Sequence, residues 1–339
     1  MSGSIEYTSF KMSLILRSLA FFSFNCLVMA APFSKRAISS GPTMSANFPD
    51  PTFIEVDATY YAFATNNGEQ NIPVAVSSDF NTWDLQDGYD ALPDPGSWAS
   101  GDVWAPDVVQ VDDGSFVLYY AAELADHSTH CVGAATASSP RGPYTPQSSP
   151  LICPSASVGG AIDPSGFLDT DGTRYILYKI DGNSVPGGPN CGNTATNSYS
   201  TPILIQKVGS DGLTLEGTAQ QIMTQDPSTE PLVEAPSLAI VDGVYFLFFS
   251  SGCYTDSDYD VKYATSQNGV LNGGNDYTRA SAALLQTGYG IGLVAPGGLT
   301  IGSQGQKVVF MAYQSGSDTV RQMYTGTVTL DASSKTVSI

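Results

Sequence analysis

Residues 48–65 read F-P-D-P-T-F-I-E-V-D-A-T-Y-Y-A-F-A-T, and this pattern returns four more times along the chain. A Pro beside a small or acidic residue opens the stretch and a short apolar strand follows. A turn containing Asp then leads into an aromatic strand. Turn residues at a fixed place between two such strands predict a β-hairpin. The other copies occupy residues 104–122, 162–179, 234–250 and 295–313.

Each hairpin is followed by a weaker strand–turn–strand pattern, at residues 72–85, 131–146, 201–217, 259–274 and 320–339. The five units begin 56, 58, 72 and 61 residues apart. Repeated four-stranded units of this kind predict an all-β fold, a five-bladed β-propeller with four-stranded antiparallel blades. Because one blade cannot bury both of its faces alone, we expect a single domain over residues 37–339. A β-sandwich is the alternative.

The N-terminus has the pattern of a targeting segment. Lys11 and Arg17 precede an apolar run over residues 19–31, and small residues end that run. This order predicts a secretory signal peptide, followed by a possible pro-segment, within residues 1–36. An amphipathic helix is the alternative interpretation. We therefore expect a secreted, extracellular protein.

Four cysteines remain after the predicted signal, which suits an oxidising compartment. An even number predicts up to two disulfides, and three pairings of the four are open. They are Cys131, Cys153, Cys191 and Cys253.

The chain is strongly acidic, with 13 Lys and Arg against 32 Asp and Glu and a net charge of −19. Nucleic acids and anionic membrane surfaces select for an excess of basic residues, so neither is an expected partner. Neutral substrates such as sugars or peptides stay open. We expect the protein to be a monomer.

Three hairpins carry an acid at the start of the first strand: Asp50 in F-P-D-P, Asp163 in I-D-P-S and Glu234 in V-E-A-P-S. The first strand of each propeller blade lines the central channel, so three acids in register are expected to converge at one mouth. Asp107 in W-A-P-D lies two places further along its repeat. Crowded carboxylates cannot all ionise easily, and one is driven towards its protonated form. Taken singly, each acid could instead be a turn residue.

Two opposed carboxylates in an aromatic-rich, secreted protein point to glycoside hydrolysis. Nucleophilic Ser–His or Cys–His chemistry is disfavoured, because the chain has two histidines, His127 and His130, both in one polar loop. The acidic run at residues 256–260 could bind a cation or could be a solvated loop.

These motifs resemble glycoside hydrolase family 43 over residues 45–335. The resemblance implies a five-bladed propeller and an inverting mechanism, with room for a water between two carboxyl groups about 6.5–9.5 Å apart. It implies that Asp50 is the general base, that Glu234 is the general acid, and that Asp163 raises the pKa of the acid and orients it.

The same resemblance suggests substrate-binding residues. Phe48 and Trp104 would form apolar walls for a sugar ring, although either could be core. Arg321 in T-V-R-Q-M-Y matches a substrate-binding Arg, and we place Asp107 with this group.

One motif departs from the family pattern. Many members carry a His in the opening motif of the fifth blade, near a channel-bound cation. Here residues 294–298 read V-A-P-G-G. We therefore predict no metal ligands and no cofactor, with a structural cation in the channel left open.

The resemblance implies hydrolysis of arabinose- or xylose-containing plant polysaccharide or oligosaccharide. We favour an exo-acting α-L-arabinofuranosidase, with β-xylosidase and endo-α-1,5-arabinanase as alternatives. A catalytically silent carbohydrate-binding propeller and a retaining fructan-type hydrolase are the other hypotheses. The retaining type is disfavoured because Glu234 is followed by Ala235 and not by a Cys.

Overall fold

The structure, a computed structural model, describes residues 1, 3, 38–194, 196, 199–268, 276–313 and 319–339. The propeller forms one unit, Arg36–Ile339. Apart from residues 1 and 3, the predicted signal peptide and pro-segment lie outside the described residues and stay a prediction. Within the described ranges, no helix has both the length and the apolar character needed to cross a bilayer.

Five antiparallel sheets follow one another along the chain, which confirms the predicted five-bladed propeller. Blade I comprises β1 Thr52–Val56, β2 Thr59–Phe63, β3 Pro73–Ser77 and β4 Asp84–Asp90. Blade II comprises β5 Ala99–Gln110, β6 Phe116–Leu124, β7 His130–Ala137 and β8 Thr145–Pro146. Blade III comprises β9 Ala161–Leu168, β10 Arg174–Ile180, β11 Ile203–Val208 and β12 Leu215–Met223. Blade IV comprises β13 Val233–Val241, β14 Val244–Ser251, β15 Asp260–Ser266 and β16 Thr278–Arg279.

Blade V comprises β17 Val294–Ile301, β18 Lys307–Tyr313 and β19 Arg321–Thr327. Two short 3-10 helices, Ala156–Val158 and Gly182–Ser184, lie in the loops around blade III. The second strand of a blade is buried on both faces, since it is sandwiched between neighbouring blades; all eight residues of β14 are buried. This is why these strands are apolar at nearly every position and do not alternate with polar residues.

Residues 38–48 close the ring of blades by pairing with the last strand of blade V. Residues 38–48 run along β19, where the amides of Ser39, Thr43 and Phe48 donate to the carbonyls of Thr325, Met323 and Arg321. The last residues instead form a separate hairpin, β20 Thr329–Asp331 with β21 Thr336–Ser338. The expectation that residues 320–339 supply the outer strand of blade V is therefore wrong. Pairing the first segment with the last blade joins the two ends of the ring.

One backbone feature recurs at the start of all five blades. The residue before the motif proline has a positive φ, between 43° and 55°, a conformation that costs a non-glycine residue energy. In blades II–V the pairing of the first two strands also shifts register beside this residue, as in a β-bulge. Bulges re-aim the neighbouring side chains, here towards one mouth of the channel. The five residues are Asp50, Ala105, Asp163, Ala235 and Ala295.

The four cysteines of the propeller form two disulfides, as their even number predicts. Cys131 pairs with Cys153 and Cys191 pairs with Cys253, which resolves the three open pairings. The second bond joins the loop that follows the 3-10 helix Gly182–Ser184 to the loop after β14. It ties together two loops that border the channel mouth.

Asp107 on β5 links three blades. Its side chain is 8% exposed, and it accepts hydrogen bonds from the Thr52 hydroxyl of blade I at 2.6 Å and the Gly166 amide of blade III at 2.7 Å. Burial raises the pKa of Asp107 to about 6, although both hydrogen bonds act to lower it. The carboxyl group therefore braces the inner strands of adjacent blades.

We expect Asp107→Ala to lower the free energy of unfolding by about 2–4 kcal/mol, because two buried donors lose their acceptor. Asp107→Asn resembles the protonated acid and can keep both contacts, so it should cost about half as much or less. Urea denaturation of both variants with the disulfides intact measures the difference. Equal stability of the Ala variant and the native protein would show that the brace does not contribute.

Candidate active site

One mouth of the channel opens into a cavity of about 490 Å³. Asp50, Asp163 and Glu234 all line it, together with Trp104 and Arg321. The three acids reach it from the starts of blades I, III and IV. The positive-φ residues before the motif prolines turn the start of each blade, which brings the three acids to the wall of this cavity.

The acids are not in the same register, which corrects the expectation from the repeat. Asp50 and Asp163 occupy the positive-φ position before the proline, whereas Ala235 occupies it in blade IV and Glu234 comes one residue earlier. The amide of Ala235 donates to Oδ2 of Asp163 at 2.8 Å. The offset therefore lets Asp163 hold the backbone directly beside Glu234.

Asp50 has two donors of its own. The Thr65 hydroxyl donates to Oδ2 at 2.6 Å, and the guanidinium of Arg321 lies 3.3 Å from Oδ1. Thr65 is itself fixed, because its oxygen accepts from the Ala105 amide at 2.8 Å. Hydrogen bonds from a cation and a hydroxyl stabilise the ionised carboxylate. Asp50 is thus arranged as a group that can accept a proton.

Glu234 has a different set of partners. Oε2 lies 3.0 Å from Nζ of Lys179, and Oε1 accepts from the Tyr259 hydroxyl at 2.8 Å. Lys179 is 1% exposed and also pairs with Asp181 at 2.7 Å. Burial opposes the ammonium form, but the carboxylates of Asp181, Glu234 and Asp163 together raise the pKa of Lys179. Lys179 is therefore a permanent cation inside the acidic cluster.

Asp163 is the member of the cluster that retains a proton near neutral pH. Burial raises its pKa to about 8, and the charge of Glu234 adds to the effect. Lys179 and the Ala235 amide oppose the rise without cancelling it.

Of the two residues predicted to form apolar walls for the sugar, one lines the cavity and the other lies in the core. Trp104 is half-buried, lines the cavity and stacks on His130, with ring centroids 3.8 Å apart. Phe48 is 0% exposed and packs in a core cluster with Met44 and Met323. The prediction that Phe48 faces the substrate is therefore wrong. Phe48 ends the segment 38–48 that pairs with β19, and this pairing places its ring in the core.

Arg321 and Asp107 differ in whether their polar atoms are available to a ligand in the cavity. Arg321 faces the cavity, bonds Asp50 and lies over the ring of Tyr254, 4.9 Å from its centroid. Asp107 borders the cavity as well, but both its oxygens already accept bonds from the propeller itself. A substrate contact for Asp107 stays a prediction, whereas its bracing contacts are observed.

Lys179, Asp181 and Tyr259 are the site residues that sequence reasoning missed. The available signal for Lys179 is a cation among the apolar residues of the strand R-Y-I-L-Y-K-I, because a buried lysine requires acidic partners. The sequence gives no signal for Tyr259, since it sits in the acidic run for which a cation site and a solvated loop are the two interpretations.

The residues do not fit a cation at the opening of blade V. Gly297 has no side chain, and a Cβ there would lie 1.8 Å from the Tyr259 ring, so that ring fills the space a ligand would need. Within the described ranges, no cluster of three or more His, Cys, Asp or Glu residues is placed to hold a metal, including the run at residues 256–260. The prediction of no cofactor stays a prediction.

Known proteins share both the sequence pattern and the fold. An arabinan endo-1,5-α-L-arabinosidase A of Aspergillus niger is 27% identical over 275 residues, 76% of this chain and 77% of that protein. An extracellular endo-α-(1→5)-L-arabinanase 2 of Bacillus subtilis is 26% identical over 177 residues, 45% of this chain. The matched part spans only 37% of that bacterial protein.

A solved structure, an endo-1,4-β-xylanase from Bacteroides thetaiotaomicron, superposes with a TM-score of 0.70 at 25% identity. The match covers 89% of this chain and 96% of the other. The model of the family described as "Glycosyl hydrolases family 43" matches residues 40–330. With this match and the propeller that carries the three acids into one cavity, the chain belongs to glycosyl hydrolase family 43.

Proposed function

We propose that the protein is a secreted glycoside hydrolase that cleaves α-L-arabinofuranosyl linkages of plant cell-wall polysaccharide by a single displacement. The observation that carries the proposal is the different environment of Asp50 and Glu234 within one cavity. Asp50 is held by Arg321 and Thr65, whereas Glu234 is held by Lys179 and Tyr259. This division suits a base and an acid that act on opposite sides of one bond.

In the proposed reaction, Asp50 takes a proton from water as the water oxygen bonds to the anomeric carbon. The bond from that carbon to the leaving oxygen breaks, and Glu234 gives its proton to the leaving oxygen. Solvent then returns a proton to Glu234 and removes one from Asp50. Asp163 keeps the acid in place through the Ala235 amide.

Trp104 and Arg321 are proposed to bind the sugar. The indole offers a flat apolar face, fixed by its stacking on His130. The guanidinium of Arg321 can donate to a sugar hydroxyl while it remains bound to Asp50, because it has five donors. The aromatic face and the fork of donors suit a neutral furanose ring.

The mode of cleavage has two candidates. Exo action, which releases single arabinose units, is the expectation from the family resemblance. Endo action is favoured by the names of the relatives from Aspergillus niger and Bacillus subtilis, both of which are endo-acting on arabinan. β-Xylosidase activity and a silent sugar-binding propeller are further alternatives that the following assay separates.

We expect 4-nitrophenyl α-L-arabinofuranoside to be hydrolysed faster than 4-nitrophenyl β-D-xyloside. On linear α-1,5-arabinan, exo action gives arabinose as the first product, and endo action gives a mixture of oligosaccharides. Chromatography of early time points reads both outcomes. No product from any of the three substrates would overturn the enzymatic proposal and favour the silent binder.

Glu234→Gln and Asp50→Asn should each lower kcat at least about 100-fold, since each removes one proton-transfer group. Thermal unfolding should be little changed, because both substitutions keep the shape of the side chain. Glu69→Gln is the matched control: its side chain is exposed in a loop and lies outside the cavity. Near-native hydrolysis by either active-site variant would contradict the assigned roles.

A further inference from the structure

The two oxygens of Glu234 face donors of different chemistry, and neither donor has a role in the reaction as described so far. We propose that Lys179 and Tyr259 are positioning residues that assign the catalytic proton to Oε1 of Glu234, the oxygen beside Tyr259. The inference rests on the proposed function, in which Glu234 is the general acid.

Lys179 determines which oxygen stays unprotonated. An ammonium group has donors and no acceptor, so it bonds best to an oxygen that carries no proton. Its Nζ lies 3.0 Å from Oε2 of Glu234 and 2.7 Å from Asp181, and the side chain is 1% exposed. Protonation of Oε2 would weaken one of the two bonds that hold a buried charge, which is costly. In the protonated acid, Oε2 is therefore the carbonyl oxygen.

Tyr259 tolerates either state of Oε1. A phenol hydroxyl can donate to a carboxylate, as it does here at 2.8 Å, and can turn to accept from a carboxylic acid. Its ring is 2% exposed, so the hydroxyl stays in place while its hydrogen reorients. Oε1 can thus gain and lose the proton without leaving a buried group unpaired.

Gly297 makes this arrangement possible. A Cβ at position 297 would lie 1.8 Å from a ring carbon of Tyr259, so any side chain there would displace the ring. The side chain missing from the opening motif of blade V is thus replaced by a tyrosine from blade IV. The ring is further enclosed by Ala295, Met311 and Tyr313.

The charged environment of the acid includes more than these two partners. Burial raises the pKa of Asp163 to about 8, and Glu234 and Asp50 act in the same direction. The alkaline limb of the pH profile, where activity falls as the pH rises, should therefore report loss of a proton from this cluster of acids. Lys179 from β10 and Tyr259 from the loop before β15 bond Glu234 directly. The charged groups around them are Asp181, which pairs with Lys179, Asp163 from β9, and Asp50 with its partner Arg321.

Two variants at the buried ion pair should shift that alkaline limb in opposite directions. Asp181→Asn removes a negative charge, so that Lys179 pairs with Glu234 alone. The alkaline limb of the pH profile should therefore shift about one pH unit lower. Lys179→Met combined with Asp181→Asn removes the cation without leaving Asp181 unpaired, so the limb should move about one unit higher. Profiles of kcat/KM against pH on the aryl arabinofuranoside give both shifts. Shifts in the same direction, or none, would overturn the role of Lys179.

Tyr259→Phe tests the second half of the inference and keeps the ring that fills the space beside Gly297. Its kcat should fall about tenfold more on phenyl than on 2,4-dinitrophenyl α-L-arabinofuranoside, because the better leaving group needs little proton donation. Tyr89→Phe is the control and should not change this ratio, because Tyr89 does not line the cavity and its hydroxyl donates to the Arg141 carbonyl. An equal loss on both substrates would mean a structural role only. If the native enzyme hydrolyses neither these glycosides nor linear arabinan, the proposed function fails; if it hydrolyses the glycosides and the ratio is unchanged, this inference alone fails.

Discussion

The buried ammonium of Lys179 is the contact on which the rest of the site depends. Several carboxyl groups converge on one partly dry cavity, and their mutual repulsion would otherwise force more of them to bind protons. Lys179 offsets Asp181 and Glu234 directly, while Asp163 retains a proton. Because the cation is nearly inaccessible to solvent, its two ion pairs are neither screened nor easily broken. Lys179 thus allows several carboxyl groups to share one cavity without a repulsion that would oppose folding.

The propeller converts this local balance into an asymmetric site. A positive-φ residue before a proline begins every blade, and in three blades the neighbouring or same residue is an acid. Asp50 takes its donors from blades I and V, and Glu234 takes its donors from blade III and the loop of blade IV. Two carboxyl groups of the same chemical type are thereby held in different electrostatic surroundings, which is how one cavity can contain both a base and an acid.

The fold was readable from the sequence because the hairpins repeat with turn residues at fixed places. Ring closure was not, since the pairing of residues 38–48 with β19 is a long-range contact with no local signature. The sequence identified the three acids as candidate site residues. It did not show the one-residue offset of Glu234 or the burial of Phe48, because these depend on the backbone conformation before the prolines and on packing. Tyr259 could not be predicted, because its place is set by the empty space at Gly297 on another blade.

The anomeric configuration of the first product tests the central claim, that Asp50 and Glu234 act separately on opposite sides of the scissile bond. Proton NMR during hydrolysis of 4-nitrophenyl α-L-arabinofuranoside follows the anomeric signal before mutarotation. If water activated by Asp50 attacks opposite the leaving oxygen, β-L-arabinofuranose appears first and the α form grows in later. Initial release of α-L-arabinofuranose would mean a covalent intermediate on one carboxylate and would contradict the separate roles of Asp50 and Glu234.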